Sequence, residues 1–128
     1  MIATEQERTV LDFLPQIQKA LDLGGNTHTV QDVADAVLSG HAQLWTAGDG
    51  LVVTQVQDHP QGRELVFWIA AGSLEDVLDL APGIYEWGRE IGCVMATFTG
   101  RRGWARPLVE HGWKVNQEMV IYQKDLWA

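Results

Sequence analysis

Three arginines, Arg101, Arg102 and Arg106, form the densest positive charge on a chain whose formal net charge is −8. Arg101 and Arg102 sit between Gly100 and Gly103, where a β-prone run gives way to a short amphipathic segment. Guanidinium forks at such a junction suit an anion or an acidic partner, because each presents planar paired donors. The competing assignment is structural: pairing with the surplus Asp and Glu, or Arg106 lying over an indole face. Trp104 and Trp113 bracket the same segment and could stack on a ligand or seal a core. Trp127, close to the C-terminus, suits a protein–protein anchor or a frayed end.

Other reactive side chains are scattered. His28, His41, His59 and His111 fall in turns or near helix ends, and with Cys93 they give no metal-ligand spacing. His41 could act as a base beside Glu64, although no spacing supports the pair. Cys93 follows Gly92 at the start of a strand and is expected as a small buried residue, with no His in register to activate it. Ser73 is better placed to cap a helix than to attack a substrate. No catalytic residue and no metal site is assigned.

Composition narrows the class. At 128 residues, with 46% hydrophobic and 20% charged residues, the chain has the make-up of one soluble globular domain spanning residues 1–128. The acidic balance argues against nucleic acid, which calls for a cationic excess. A lone Cys excludes an intrachain disulfide. No apolar run approaches the roughly 20 residues needed to span a bilayer. The polar, acidic start (Met1 to Glu7) is unlike a secretory signal. The expected location is the cytoplasm, or the inside of whatever particle the protein joins.

The surrounding elements are set by period and punctuation. Val10, Phe13, Leu14, Ile17 and Leu21 make a helical stripe, interrupted by Pro15 as a kink or start and ended by Gly24-Gly25. Thr29 and Asp32 form a capping-box variant for a second helix, with Val30, Val33, Ala34, Val37 and Leu38 on one face and Gly40 as its stop. A β-meander is expected next: 42–46, 51–56 and the most apolar run, 64–70, in the centre of the sheet. Its turns lie at the Asp49-Gly50 pair and at His59 to Gly62. Ser73 and Asp76 form a second capping-box variant. They open a helix burying Leu74, Val77, Leu78, Ala81, Ile84, Tyr85 and Ile91, with a kink at Pro82-Gly83. A strand from Cys93, the short helix ending at Gly112, and a last strand, 119–124, complete the chain. Trp45, Trp68 and Trp87 are expected in the core.

This order, helices then meander then long helix, strand, short helix, Gly-aromatic and strand, resembles the GNAT family of N-acetyltransferases. Residues 64–124 carry the likeness best, with Gly112-Trp113 as the closing turn. The wording is similar to GNAT-like proteins of tailed bacteriophages and prophages, in Gly25-Asn26-Thr27-His28-Thr29, in Gly40-His41-Ala42-Gln43-Leu44-Trp45 and in Gly100 through Trp113. The resemblance implies an α+β fold, with a mixed, mostly antiparallel sheet flanked by about four helices. It also implies a CoA diphosphate on a Gly-rich loop before the long helix, and a Tyr general acid four residues before the closing Gly. Here the loop reads Ala70-Ala71-Gly72-Ser73-Leu74-Glu75-Asp76, and Leu108 stands at the Tyr position. Arg101 stands where the family often has Asn. Ala71, Gly72 and Ser73 are thus a degenerate remnant of a cofactor loop. Ser73 and Asp76 are expected to occupy the N–H groups that a diphosphate would use.

The resulting expectation is a phage or prophage GNAT-like protein without acetyl-CoA chemistry, acting as a virion-associated or assembly component. Its partners would be phage structural proteins or a host protein, and it could be an oligomer. The alternatives are an active N-acetyltransferase, with acetyl-CoA held in a remodelled site through Arg101 and Arg102, and a small modulator that binds a host protein.

Overall fold

The computed structural model describes residues 10–23, 27–100, 102–116, 124, 126 and 127, and the side chain of Arg102 lies outside that description. Helix α1 (Leu14–Leu23) follows a helical turn from Val10, and Pro15 lies in its first turn, where a missing N–H costs nothing. Helix α2 (Val30–Leu38) starts with a complete capping box, the Thr29 hydroxyl accepting from Asp32 N at 3.1 Å while the Asp32 carboxylate accepts from Thr29 N at 2.8 Å. Gly40, at φ 84°, ends it as expected. Leu38, expected on the packed face, is instead exposed. The expected glycine stop at Gly24-Gly25 and residues 119–123 of the expected last strand lie outside the described residues.

Strands β1 (Gln43–Ala47), β2 (Gly50–His59) and β3 (Gly62–Ala71) form the antiparallel meander. Helix α3 (Leu74–Glu90) crosses over to β4 (Cys93–Phe98), which runs parallel to β3 and gives the sheet order β1-β2-β3-β4 among the described residues. The first hairpin differs from its expected turn. Ala47 pairs with Gly50, so Gly48 and Asp49 are the central residues; Gly48 takes φ 54° and Gly50 already belongs to the strand.

The sheet separates two apolar layers. Successive residues of β2 point to opposite faces, so Leu51 and Val53 meet α1 and α2 through Ile17 and Val33, whereas Val52 meets α3 through Val77 and Ile84. Strand β3 changes sides partway along. Thr54 pairs with Phe67 but Val53 pairs with Ile69, which leaves Trp68 as an extra residue in a bulge. Leu65 and Phe67 therefore face α3, while Ile69, of the same parity, faces α1 and α2. Helix α3 continues through Pro82 and Gly83, where a kink was expected, and buries Val77, Ala81, Ile84 and Gly88. Leu78 and Tyr85 are only half-buried. Trp45, Trp68 and Trp87 are likewise half-buried, each packed against one of the two core layers.

Glu64 clips β3 to its neighbours. It accepts from Thr97 Oγ1 of β4 at 2.5 Å and meets His59 Nε2 of the β2–β3 hairpin at 2.6 Å. His41, the partner considered from sequence, bonds Ser39 instead, at 2.7 Å. The Thr97 hydroxyl first, and then His59, hold the Glu64 carboxyl below its ordinary pKa. A depressed carboxyl contributes stability above its unfolded-state value and loses that contribution as pH falls through the folded value. Stability measured from neutral pH down through the carboxylate range should decline more steeply in the native chain than in Glu64→Gln. Equal slopes would show that the clip contributes nothing.

Candidate functional site

The cleft opens where β3 and β4 part. Their pairing ends at Phe67 and Phe98, while β3 continues to Ala71 with, among the described residues, β2 alone beside it. Among the described residues, the gap is a cavity of about 470 Å³, walled by Gln16, Lys19, Ala20 and Leu23 of α1, by residues 68–72, by Phe98 to Gly100 and by Trp104. The bulge matters here: the added residue, Trp68, stands on the cleft wall, and the His28 ring packs edge-on against it at 4.9 Å. Phe98 and Trp104 meet edge to face at 5.6 Å on the other side.

At the top of the cleft lies the N-terminus of α3. Ser73 caps it as expected, its Oγ accepting from Asp76 N at 3.1 Å. The second half of the expected capping box is absent, because the Asp76 carboxylate accepts from Asp49 N of the β1–β2 turn at 3.0 Å. Glycines permit that contact. A Cβ on Gly48 or Gly50 would fall 2.8 or 2.7 Å from Asp76 atoms, and one on Gly72, at φ 91°, would fall 1.9 Å from the Asp49 carbonyl oxygen. The hairpin turn is thus seated against the start of α3.

A CoA diphosphate needs a loop of free N–H groups and no competing anion. The residues present do not fit one. Ala70 and Ala71 remain in the ladder with β2, opposite Val52 and Leu51, so only Gly72 and Ser73 connect strand to helix. Ser73 takes the Asp76 N–H, the Asp49 carbonyl presses on Gly72, and Glu75 and Asp76 place two carboxyls in the first turn. Each carboxyl already has about 0.3–1 kcal/mol of favourable dipole interaction there, which an incoming phosphate would have to contest.

The arginine-rich turn is described only in part. Arg102–Trp104 forms a 3-10 turn leading into α4 (Ala105–Glu110); Arg101 lies outside the described residues, and Arg106 is exposed. Trp104 both packs against the core beside Phe98 and lines the cleft. Trp113 seals the layer beneath α3, edge-on to Phe67 at 5.4 Å and donating its Nε1–H to the Tyr85 hydroxyl at 2.6 Å. Burial pushes the Tyr85 hydroxyl up, against the opposing effect of that hydrogen bond, so it stays protonated at neutral pH. Tyr85 lines a separate hollow of about 330 Å³ with Ala96, His111 and Lys114 rather than the cleft. Leu108 is half-buried, and its carbonyl accepts from His111 N and Trp113 N. Burial raises the thiol pKa of half-buried Cys93. Trp127 is 98% exposed. Among the described residues, no helix is long and apolar enough to cross a membrane.

Sequence reasoning missed Gln16 and Lys19. They lie three residues apart on α1 beside its apolar stripe, and that polar pair at helical spacing was the available signal. Trp68 was expected in the core, and only the bulge brings it to the cleft.

No family profile and no curated protein matches the sequence. Solved structures do. A probable acetyltransferase superposes with a TM-score of 0.70 at 14% identity, covering 93% of each chain. A transcriptional regulator from Bacillus halodurans C-125 gives 0.69 at 12% identity, covering 97% of each chain. The aminoglycoside N-acetyltransferase AAC(6')-Iy in complex with CoA gives 0.60 at 12% identity, covering 89% of this chain and 90% of its own. At such identities the likeness speaks to architecture alone, and that architecture is a GNAT-like α+β fold.

Proposed function

We propose that this chain, as a single GNAT-like domain over residues 1–128, has lost acetyl-CoA chemistry and works by binding. One observation carries the proposal: the N-terminus of α3 is capped by Ser73, carries Glu75 and Asp76 and is seated under the Asp49 turn, where the fold's cofactor diphosphate would have to lie. Leu108 in place of a Tyr acid points the same way. The fold is compatible with either outcome, since one neighbour holds CoA and another is described as a transcriptional regulator. Isothermal titration with acetyl-CoA should give no saturable heat, and micromolar binding would overturn the proposal.

The setting we propose is a tailed phage or prophage, with the chain as a virion-associated or assembly component. This part has its support in the Gly100-to-Trp113 wording and its kin. Peptides of this chain are expected in purified, nuclease-treated particles. Their absence removes the virion role and leaves the loss of chemistry standing. The open cleft favours one second reading, an N-acetyltransferase that holds acetyl-CoA through Arg101 and Arg102 instead of the loop. That reading requires acetyl-CoA binding that disappears in the Arg101→Ala, Arg102→Ala double variant.

A further inference from the structure

We propose that the cleft between α1, β3 and β4 takes a small aromatic carboxylate bearing an N–H donor. The proposal rests on the binding role above and names the ligand chemistry of that same cleft. Its volume of about 470 Å³ is in the ordinary size range of small-molecule sites. Its lining offers aromatic surface for a planar body, from Trp68 and from the edge-to-face pair Phe98 and Trp104. Aromatic edges and faces placed this way accept a further ring at van der Waals distance.

Charge selects the sign. The chain carries 17 acidic residues, yet none is among the described residues lining the cleft, and Lys19 is the one charged side chain there. An ammonium-bearing ligand would meet like charge without a counter-ion, whereas a carboxylate would find its partner. Gln16 selects the donor. Its Oε1 is buried with no hydrogen-bond partner, a costly state for a carbonyl oxygen. A modest rotation of the side chain, which already contributes to the cleft wall, would present that oxygen to a ligand N–H. Gln16 and Lys19 stand three residues apart on one helix, a spacing that sets their Cβ atoms roughly 5–6 Å apart. A ligand whose N–H and carboxylate are similarly separated across a ring satisfies both.

Indole-3-acetate has that layout, and titration calorimetry at low salt is the test. Saturable one-to-one binding is expected, weakened about tenfold in Gln16→Met and weakened in Lys19→Met with loss of the salt dependence. Tryptamine, with the same ring and a cation, should not bind. 1-Methylindole-3-acetate, which lacks the N–H, should bind native protein no better than indole-3-acetate binds Gln16→Met. Removing an orphaned acceptor should leave the melting temperature of Gln16→Met equal or higher, which separates lost recognition from lost folding. Absence of saturable indole-3-acetate binding, equal binding of tryptamine, or unchanged affinity in Gln16→Met would each overturn the assignment. Acetyl-CoA, titrated separately, reports on the lost chemistry: binding of acetyl-CoA with no indole-3-acetate binding defeats both proposals, and silence toward both ligands defeats this one only.

Discussion

Gly72→Ala should cost about 3 kcal/mol of stability, built from roughly 1–2 kcal/mol for a side chain held in the left-handed region and about 1–3 kcal/mol for overpacking. The backbone there sits at φ 91°, and the added methyl would lie 1.9 Å from the Asp49 carbonyl oxygen and 3.0 Å from Gly50 Cα. Those are backbone atoms in a hairpin, so no rotamer change relieves the clash. For a chain of this length the loss corresponds to a fall in Tm on the order of 10 °C. Gly83→Ala is the matched control. Gly83 lies inside α3 with nothing within 4 Å of its added Cβ, so the same chemical change should stabilise by about 0.5–1 kcal/mol through helix propensity and a less flexible unfolded chain. Urea denaturation of both variants is the measurement. Equal effects in the two would show that the seating of the hairpin on α3 is not what holds this junction.

Ile84→Ala should cost about 3–4 kcal/mol, the usual range for emptying a fully buried aliphatic site. Ile84 is 0% exposed and lies in the layer between α3 and the sheet, with Val52, Leu65, Phe67 and Val77 around it. Collapse around the cavity is restricted, because Gly88 already brings α3 close to Leu65, a Cβ there falling 2.9 Å from Leu65 Cδ2. Ile84→Val should cost about 1 kcal/mol, and Val94→Ala, at a site 71% exposed on β4, less than about 0.5 kcal/mol. A loss below about 1 kcal/mol for Ile84→Ala would mean that α3 is not anchored through this residue. The same helix carries Tyr85, so the Trp113–Tyr85 contact should loosen with it and the indole fluorescence change before global unfolding.

The two variants bear on function through the same junction. Gly72 and Asp76 hold the β1–β2 turn over the start of α3, and α3 is held against the sheet by Ile84. An anion site at this helix start would need the turn withdrawn and the Ser73 cap released together. Both features also stabilise the fold, so they oppose that rearrangement.

Local chemistry was legible from the chain itself. The Thr29 box, the Ser73 cap and the left-handed stops at Gly40 and Gly112 follow from side-chain hydrogen bonding and φ preferences that act within a few residues. The meander and its second turn, from His59 to Gly62, were legible for the same reason, whereas the first hairpin turns at Gly48-Asp49 and not at the Asp49-Gly50 pair. Three matters were settled only in three dimensions. The bulge at Trp68 sits in a run, Leu65 to Ala71, that is apolar at every position, so no alternation in the sequence can reveal where the strand changes faces. The partner of Asp76 is an amide 27 residues away, brought within reach only because glycines let two backbones approach. Gln16 and Lys19 became walls of the cleft because α1 lies across the gap that β3 and β4 leave where they diverge, a consequence of packing between segments 39 or more residues apart. Sequence determined the elements and their ends, since those depend on neighbours along the chain; tertiary structure decided the cleft and its lining, since those depend on which distant surfaces meet.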